Sequence, residues 1–183
     1  MKALILHGTG NDHNGNWFPW LKSKLEQLGI ETWVPDLPMA NHPNVDRYTN
    51  FLLSGEFDFN DSLVIGHSSG AVEVLDLLQN LPAGTKVNTA IMVAIFKGDL
   101  GWEDLKDLDG LEFDYDKIKQ AARQHIVIHS DDDPHCPIEG AREIARGIKA
   151  EMIEMHDMKH FSVHTDPRFT KFPELLEIIK QHI

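Results

Sequence analysis

The chain has 183 residues, 42% hydrophobic and 25% charged, with 13 Gly, 9 Pro and one Cys, the make-up of a single globular domain spanning 1–183. At this length about 70% of the unfolded chain's surface is buried on folding, so neither disulfides nor a structural metal is needed, and Cys136 alone forms no disulfide framework. Lys and Arg number 17 against 29 Asp and Glu, and the resulting charge of −12 repels phosphate backbones and anionic membranes, which argues against nucleic acid or membrane as partner.

No apolar run approaches the roughly 20 residues of a membrane span, and the apolar stretch of MKALILHG is too short for a signal peptide, so a cytoplasmic location is expected. In chain order, a first apolar strand, Lys2–Leu6, runs into His7-Gly8-Thr9-Gly10-Asn11. A helix over Asn16–Leu28 follows, with Pro19 in its first turn and Gly29 just past its end. Strand Glu31–Val34, an irregular stretch from Asp36 to Asp46 and helix Asp46–Leu53 lead to strand Ser62–Ile65. Helix Ser69–Leu81 carries an apolar stripe of Val72, Leu75, Leu77, Leu78 and Leu81 suited to packing on a sheet. Strand Val87–Ile95, an irregular segment from Lys97 to Leu111, and helix Tyr115–Arg123 come next. Strand His125–Ile128, helix Ile138–Ile148, strand Glu151–Met155 and helix Phe172–His182 close the series.

Strands that are apolar throughout, alternating with amphipathic helices, predict a doubly wound α/β fold of about six mostly parallel strands with helices on both faces. In such sheets chemistry gathers in the loops beyond the carboxyl ends of the strands.

Three of those loops carry the candidate site. After the third strand the chain reads Gly66-His67-Ser68-Ser69-Gly70 and enters a helix directly. This G-x-S-x-G pattern raises a serine hydroxyl on a strained strand–turn–helix corner, where the flanking glycines remove backbone collisions. Ser68 is the candidate nucleophile, and the N–H of Ser69 a candidate oxyanion donor at the helix N-terminus. A serine needs a base, and the α/β-hydrolase chain order places an acid and then a His downstream. The fifth strand runs into Asp131-Asp132-Asp133-Pro134 and the sixth into His156-Asp157-Met158-Lys159-His160. The base is therefore sought at His160. The preference of a pre-proline residue for extended backbone favours Asp133, but by chemistry alone any of the three aspartates qualifies as the acid.

The glycines after the first strand suit a second oxyanion donor, for which Thr9 is the candidate. No Lys-Ser/Thr follows them, so no nucleotide cofactor is expected. His7, Trp17 and His67 are candidates for contacting substrate, although Trp17 and Trp20 serve equally well as core anchors. His156, His160 and His164 fall at four-residue intervals, but the stretch is a poor helix and no H-E-x-x-H or paired cysteines accompany it, so no metal is expected.

With these residues in place the chain resembles, nearly end to end, the small serine hydrolase family that includes retinoblastoma-binding protein nine and the YdeN-like proteins. The resemblance is carried by His7-Gly8-Thr9-Gly10 with Asn16-Trp17-Phe18-Pro19-Trp20-Leu21, by Val34-Pro35-Asp36-Leu37-Pro38 with Pro43, by the serine pentapeptide, by Ser130-Asp131-Asp132-Asp133-Pro134 with Pro137, and by His160-Phe161. It implies a compact α/β-hydrolase fold with little or no lid, Asp133 as the acid and His160 as the base. One departure is Lys159, where the family often has Gly. The expectation is a serine hydrolase that cleaves a small carboxylic ester, with thioester or amide less favoured, through a Ser68–His160–Asp133 triad and an acyl-enzyme. Activity should fall in acid as the imidazole protonates. The rival readings are a hydrolase-fold protein-binding module with little turnover and, third, a metal-dependent hydrolase. Fluorophosphonate labelling and sensitivity to chelator separate the three.

Overall fold

The computed structural model describes residues 1–183. Six strands, β1 (Lys2–Leu6), β2 (Glu31–Trp33), β3 (Leu63–His67), β4 (Val87–Val93), β5 (Ala122–Ser130) and β6 (Glu151–Met155), form one sheet in the order β2-β1-β3-β4-β5-β6. Every neighbouring pair is parallel. Parallel pairing demands crossovers, and six helices provide them: α1 (Phe18–Gln27), α2 (Val45–Leu53), α3 (Ser69–Asn80), α4 (Tyr115–Ala121), α5 (Ile138–Ile148) and α6 (Pro173–Gln181).

The two-residue period of the strands sorts their side chains between two cores. Leu4, Leu6, Val64, Met92 and Val127 face α2 to α5 on one side. Ala3, Ile5, Ile65, Ile91 and Ile128 face α1 and α6 on the other. Both faces are thus covered, which is why the strands read as apolar runs without alternation. No helix is long and apolar enough to cross a membrane.

Several boundaries differ from the sequence reading by one to three residues, and three of the differences have a clear local cause. Helix α1 starts at Phe18 because Asn16 has left-handed backbone, φ 45°, and Trp17 forms the cap. Strand β4 stops at Val93 because Ala94 turns out of the ladder at φ 52°, although Ile95 and Phe96 stay buried. Strand β5 begins at Ala122 with no loop after α4, three residues before the apolar run. Residues 122–124 are ordered by pairing with β4, through Val87↔Ala122 and Thr89↔Gln124, a hydrogen-bonding cause that hydrophobicity does not register.

Helix α3 is buried along most of its length, including the carboxyl groups of Glu73 and Asp76. Thr49 Oγ1 on α2 lies 2.8 Å from Glu73 Oε1 and 2.6 Å from Asp76 Oδ2. One hydroxyl proton cannot serve both acceptors, so a protonated Glu73 completes the chain by donating to Thr49, which donates to Asp76. Burial pushes the Glu73 carboxyl well above its ordinary range, and the neighbouring Asp76 carboxylate adds to the effect. An acid whose folded pKa is raised loses stability as pH rises beyond its unfolded pKa of about 4.3, because only the unfolded chain then ionises freely. Glu73→Gln is therefore expected to raise the melting midpoint by a few degrees at pH 7, with the gain vanishing below about pH 4; a pH series of thermal melts reads this directly.

Candidate active site

Ser68 sits between β3 and α3 with φ 57° and ψ −124°, a strained left-handed backbone that lifts its side chain off the end of the strand. The glycines around it are required by contact. A Cβ on Gly66 would stand 2.3 Å from the Gly70 carbonyl oxygen, and one on Gly70 would stand 2.4 Å from that of His7 and 2.6 Å from that of Leu6. Gly8 is equally constrained: a Cβ there would meet Ser68 Cβ at 2.9 Å. The corner and the β1 loop are thus pressed together, and Thr9 Oγ1 donates to Ser69 Oγ at 2.9 Å across the join. The backbone amides of Thr9 and Ser69 have no acceptor among the turn, loop and cap hydrogen bonds, and they flank the serine.

His160 Nε2 lies 3.1 Å from Ser68 Oγ, and His160 Nδ1 lies 2.7 Å from Asp133 Oδ2. The Asp133 side chain is fully shielded from solvent, and that of His160 is 11% exposed. The other Asp133 oxygen accepts from the backbone N–H of His135 at 2.8 Å and of Cys136 at 3.0 Å. Burial works to raise the Asp133 carboxyl, but the bonds from His160, Cys136 and His135 outweigh it and hold the group below the usual carboxylate range. An ionised Asp133 fixes the proton of His160 on Nδ1 and leaves Nε2 as the acceptor facing the serine hydroxyl.

The loop that carries His160 is held from several directions. Asp157, Lys159 and Phe161 all have left-handed backbone, at φ 56°, 52° and 50°. Lys159, the departure from glycine, accommodates this because Asp132 grips it twice. The Lys159 N–H donates to Asp132 Oδ1 at 2.9 Å, and its ammonium group reaches Asp132 Oδ2. Ser130 Oγ also donates to Asp132 Oδ1, at 2.6 Å, and accepts from the Met158 N–H at 3.1 Å. The lysine side chain does not line the cavity over Ser68.

That cavity, of about 280 Å³, opens beside Ser68 and His160. Of the side chains proposed to contact substrate, His67 reaches its wall, but His7 and Trp17 do not. His7 is buried and acts as a clamp: its Nδ1 donates to the Gly8 carbonyl, and its Nε2 accepts from the Leu37 N–H at 2.9 Å. Trp17 is fully buried against Phe18 and Phe172, and its indole N–H donates to the Phe161 carbonyl at 3.0 Å. His67 Nε2 donates to the preceding carbonyl, that of His160, at 2.9 Å. Trp17 and His67 therefore fix two successive carbonyls of the His160 loop. Burial, with the neighbouring His160 adding to it, pushes the His67 imidazole down to about 3, so it stays neutral.

Sequence reasoning missed the apolar wall of the cavity. Phe96, Leu100, Trp102 and Leu105 form it, supplied by the stretch after β4 that contains a short 3-10 helix, Glu103–Leu108. An isolated tryptophan in an acidic irregular segment was the available signal. His135 bridges this wall to the site, with Trp102 edge-on at 5.5 Å and His160 at 5.1 Å. His156 and His164 lie in turns, and His156 pairs with Asp131 at 2.5 Å. Asp133, Cys136 and His160 place ligand-type atoms within 4.8 Å of one another. Their donors are engaged otherwise: the carboxylate and imidazole bond each other, and burial pushes the thiol far above the range in which it ionises.

A parallel sheet covered on both faces, a serine on a strained corner and an imidazole–carboxylate pair at the same rim define an α/β-hydrolase. The chain belongs to the serine hydrolase family, whose sequence profile matches residues 3–181. It is 26% identical to YdeN of Bacillus subtilis over 185 residues, covering 99% of this chain and 95% of that protein. The crystal structure of YdeN superposes with a TM-score of 0.91 at 25% identity, over 99% of this chain and 97% of the other. Serine hydrolase RBBP9 of Rattus norvegicus is 26% identical over 184 residues, 98% of this chain and 94% of its own. Est1E of Butyrivibrio proteoclasticus shares the fold, with a TM-score of 0.72 at 15% identity over 99% of this chain and 87% of its own.

Proposed function

We propose that this hydrolase cleaves a small carboxylic ester through an acyl-enzyme on Ser68. The observation that carries the reading is the unbroken hydrogen-bond chain from Ser68 Oγ through His160 to Asp133 beside the cavity. Ser68 Oγ attacks the ester carbonyl while His160 Nε2 takes its proton. The same imidazole then delivers that proton to the departing alcohol. Water enters along the same path, losing its proton to His160, and releases the acid. Asp133 holds the tautomer and stabilises the imidazolium. The N–H groups of Thr9 and Ser69 receive the negative charge that develops on the carbonyl oxygen.

Cys136 is no rival nucleophile, since its thiol stays protonated. A fluorophosphonate needs an activated serine and nothing from a natural substrate. One equivalent is expected to add covalently, with the modified peptide containing Ser68. A protein that binds partners on an inert scaffold takes up no label, and a chelator-sensitive activity indifferent to the reagent points to metal chemistry; either result overturns the reading.

A further inference from the structure

Two cavity-lining residues carry a buried polar atom with nothing to bond: His67, whose free Nδ1 is an acceptor because Nε2 donates to the His160 carbonyl, and Asn16, whose free atom is a donor. Asn16, 7% exposed, lines the cavity, and its Oδ1 accepts from the Val163 N–H at 3.1 Å. That bond fixes the orientation of the amide, because only the oxygen can accept. The Nδ2 group is then left buried with two donor hydrogens and no partner. A buried donor without an acceptor is unfavourable by about as much as a lost hydrogen bond, and native structures retain few of them. Asn16 is also held in left-handed backbone at φ 45°, a second unfavourable feature at the same residue.

The surroundings limit what the missing acceptor is. No Lys, Arg, Asp or Glu lines the cavity. Among its ionisable groups, burial holds the His67 and His135 imidazoles below their ordinary value and keeps the Cys136 thiol protonated. No Lys or Arg is present to pair with a carboxylate that a ligand carries beyond its scissile ester, and no Asp or Glu with a cation. Asn16 shares the cavity with the apolar wall, of which Trp102 is 48% exposed.

Building on the hydrolase reading, we infer that Asn16 is a specificity-determining residue. Its amide NH2 donates to an uncharged oxygen that the substrate carries beyond its scissile ester, while an apolar group rests on Trp102. The preferred substrates are neutral esters bearing an ether, hydroxyl or carbonyl oxygen, above all-hydrocarbon or carboxylate-bearing ones. Asn11, half-exposed and folded over Gly15, lines the same cavity.

The test uses pairs that differ by one oxygen in place of a methylene: p-nitrophenyl 3-methoxypropanoate against p-nitrophenyl pentanoate, and 2-methoxyethyl acetate against butyl acetate. The p-nitrophenyl monoester of glutaric acid supplies the charged comparison. After correction for alkaline hydrolysis rates, kcat/KM should favour the ether about five- to twentyfold in at least one pair, and the charged ester should be the slowest of the p-nitrophenyl set. Asn16→Asp keeps the Val163 contact but replaces the donor with an acceptor, and Asn16→Gly suits the backbone while removing the side chain. In both variants, checked for folding by thermal melt, the ether preference should fall to about one or below. Equal rates within both pairs, a preference that survives in both variants, or a faster charged ester overturns the inference while fluorophosphonate labelling of Ser68 upholds the hydrolase. Absence of labelling overturns both.

Discussion

Ser68→Ala is expected to lower kcat for p-nitrophenyl acetate by about four to six orders of magnitude and to leave the thermal midpoint within about two degrees of the parent. With Ser68 as the proposed nucleophile, its loss removes the acyl-enzyme route entirely. What remains is positioning and oxyanion stabilisation, which in triad hydrolases still gives about 10³-fold over water. The structural cost is small, because the Ser68 hydroxyl has a single side-chain partner, His160 Nε2, and contributes no helix cap. The strained φ of 57° is imposed by the corner and is met by alanine as it is by serine. Steady-state kinetics and a thermal melt on the same preparation check both halves, and a variant retaining even a tenth of the parent rate would remove Ser68 from the chemistry.

The sheet was legible because burial of both its faces makes the inner strands apolar, while the edge strands β2 and β6 keep exposed glutamates, and the helices between them carry one-sided stripes. What stayed hidden were boundaries governed by other forces. The start of β5 is set by pairing across Thr89↔Gln124, and the start of α1 by the left-handed turn at Asn16. The candidate site divides in the same way. Ser68 and its glycines were readable because steric exclusion at the corner admits so few side chains, and the order of acid and histidine follows from the order of strand ends. Residues acting at a distance were not readable. Trp17 and His7 belong to patterns that suit a pocket or a core equally well, and only the Phe161 and Leu37 contacts place them in the scaffold. The donor left over on Asn16 exists only once Val163, far along the chain, has claimed its oxygen.

The three aspartates that the sequence left equivalent are separated by where parallel strands end. Ser130 pairs with Met155 in the last register of β5 and β6, and the Asp131 N–H extends that ladder to the Met155 carbonyl. The two loops therefore leave the sheet side by side, and successive aspartates meet successive parts of the His160 loop: Asp131 meets His156, Asp132 meets Lys159, and Asp133 meets His160. Asparagine at each position should thus give three different results. In Asp133→Asn the amide oxygen keeps the His135 and Cys136 N–H groups, so the NH2 turns toward His160 Nδ1. The imidazole is then forced into the tautomer with its proton on Nε2, which cannot take one from Ser68, and kcat should fall by about 10⁴. Asp132→Asn retains an oxygen for the Lys159 N–H and loses only an ion pair to a half-exposed ammonium, so kcat should fall by about fivefold at most. Asp132→Ala removes that acceptor beneath a strained backbone and should lower kcat about tenfold, and adding Lys159→Gly, which relaxes the φ of 52°, should restore part of the loss. The Asp131–His156 pair is exposed at both ends, and Asp131→Asn should leave kcat unchanged. Steady-state kinetics on the four variants and the double mutant decide the assignment; if Asp132→Asn is as damaging as Asp133→Asn, tautomer control by Asp133 is the wrong account and the acid must be sought one residue earlier.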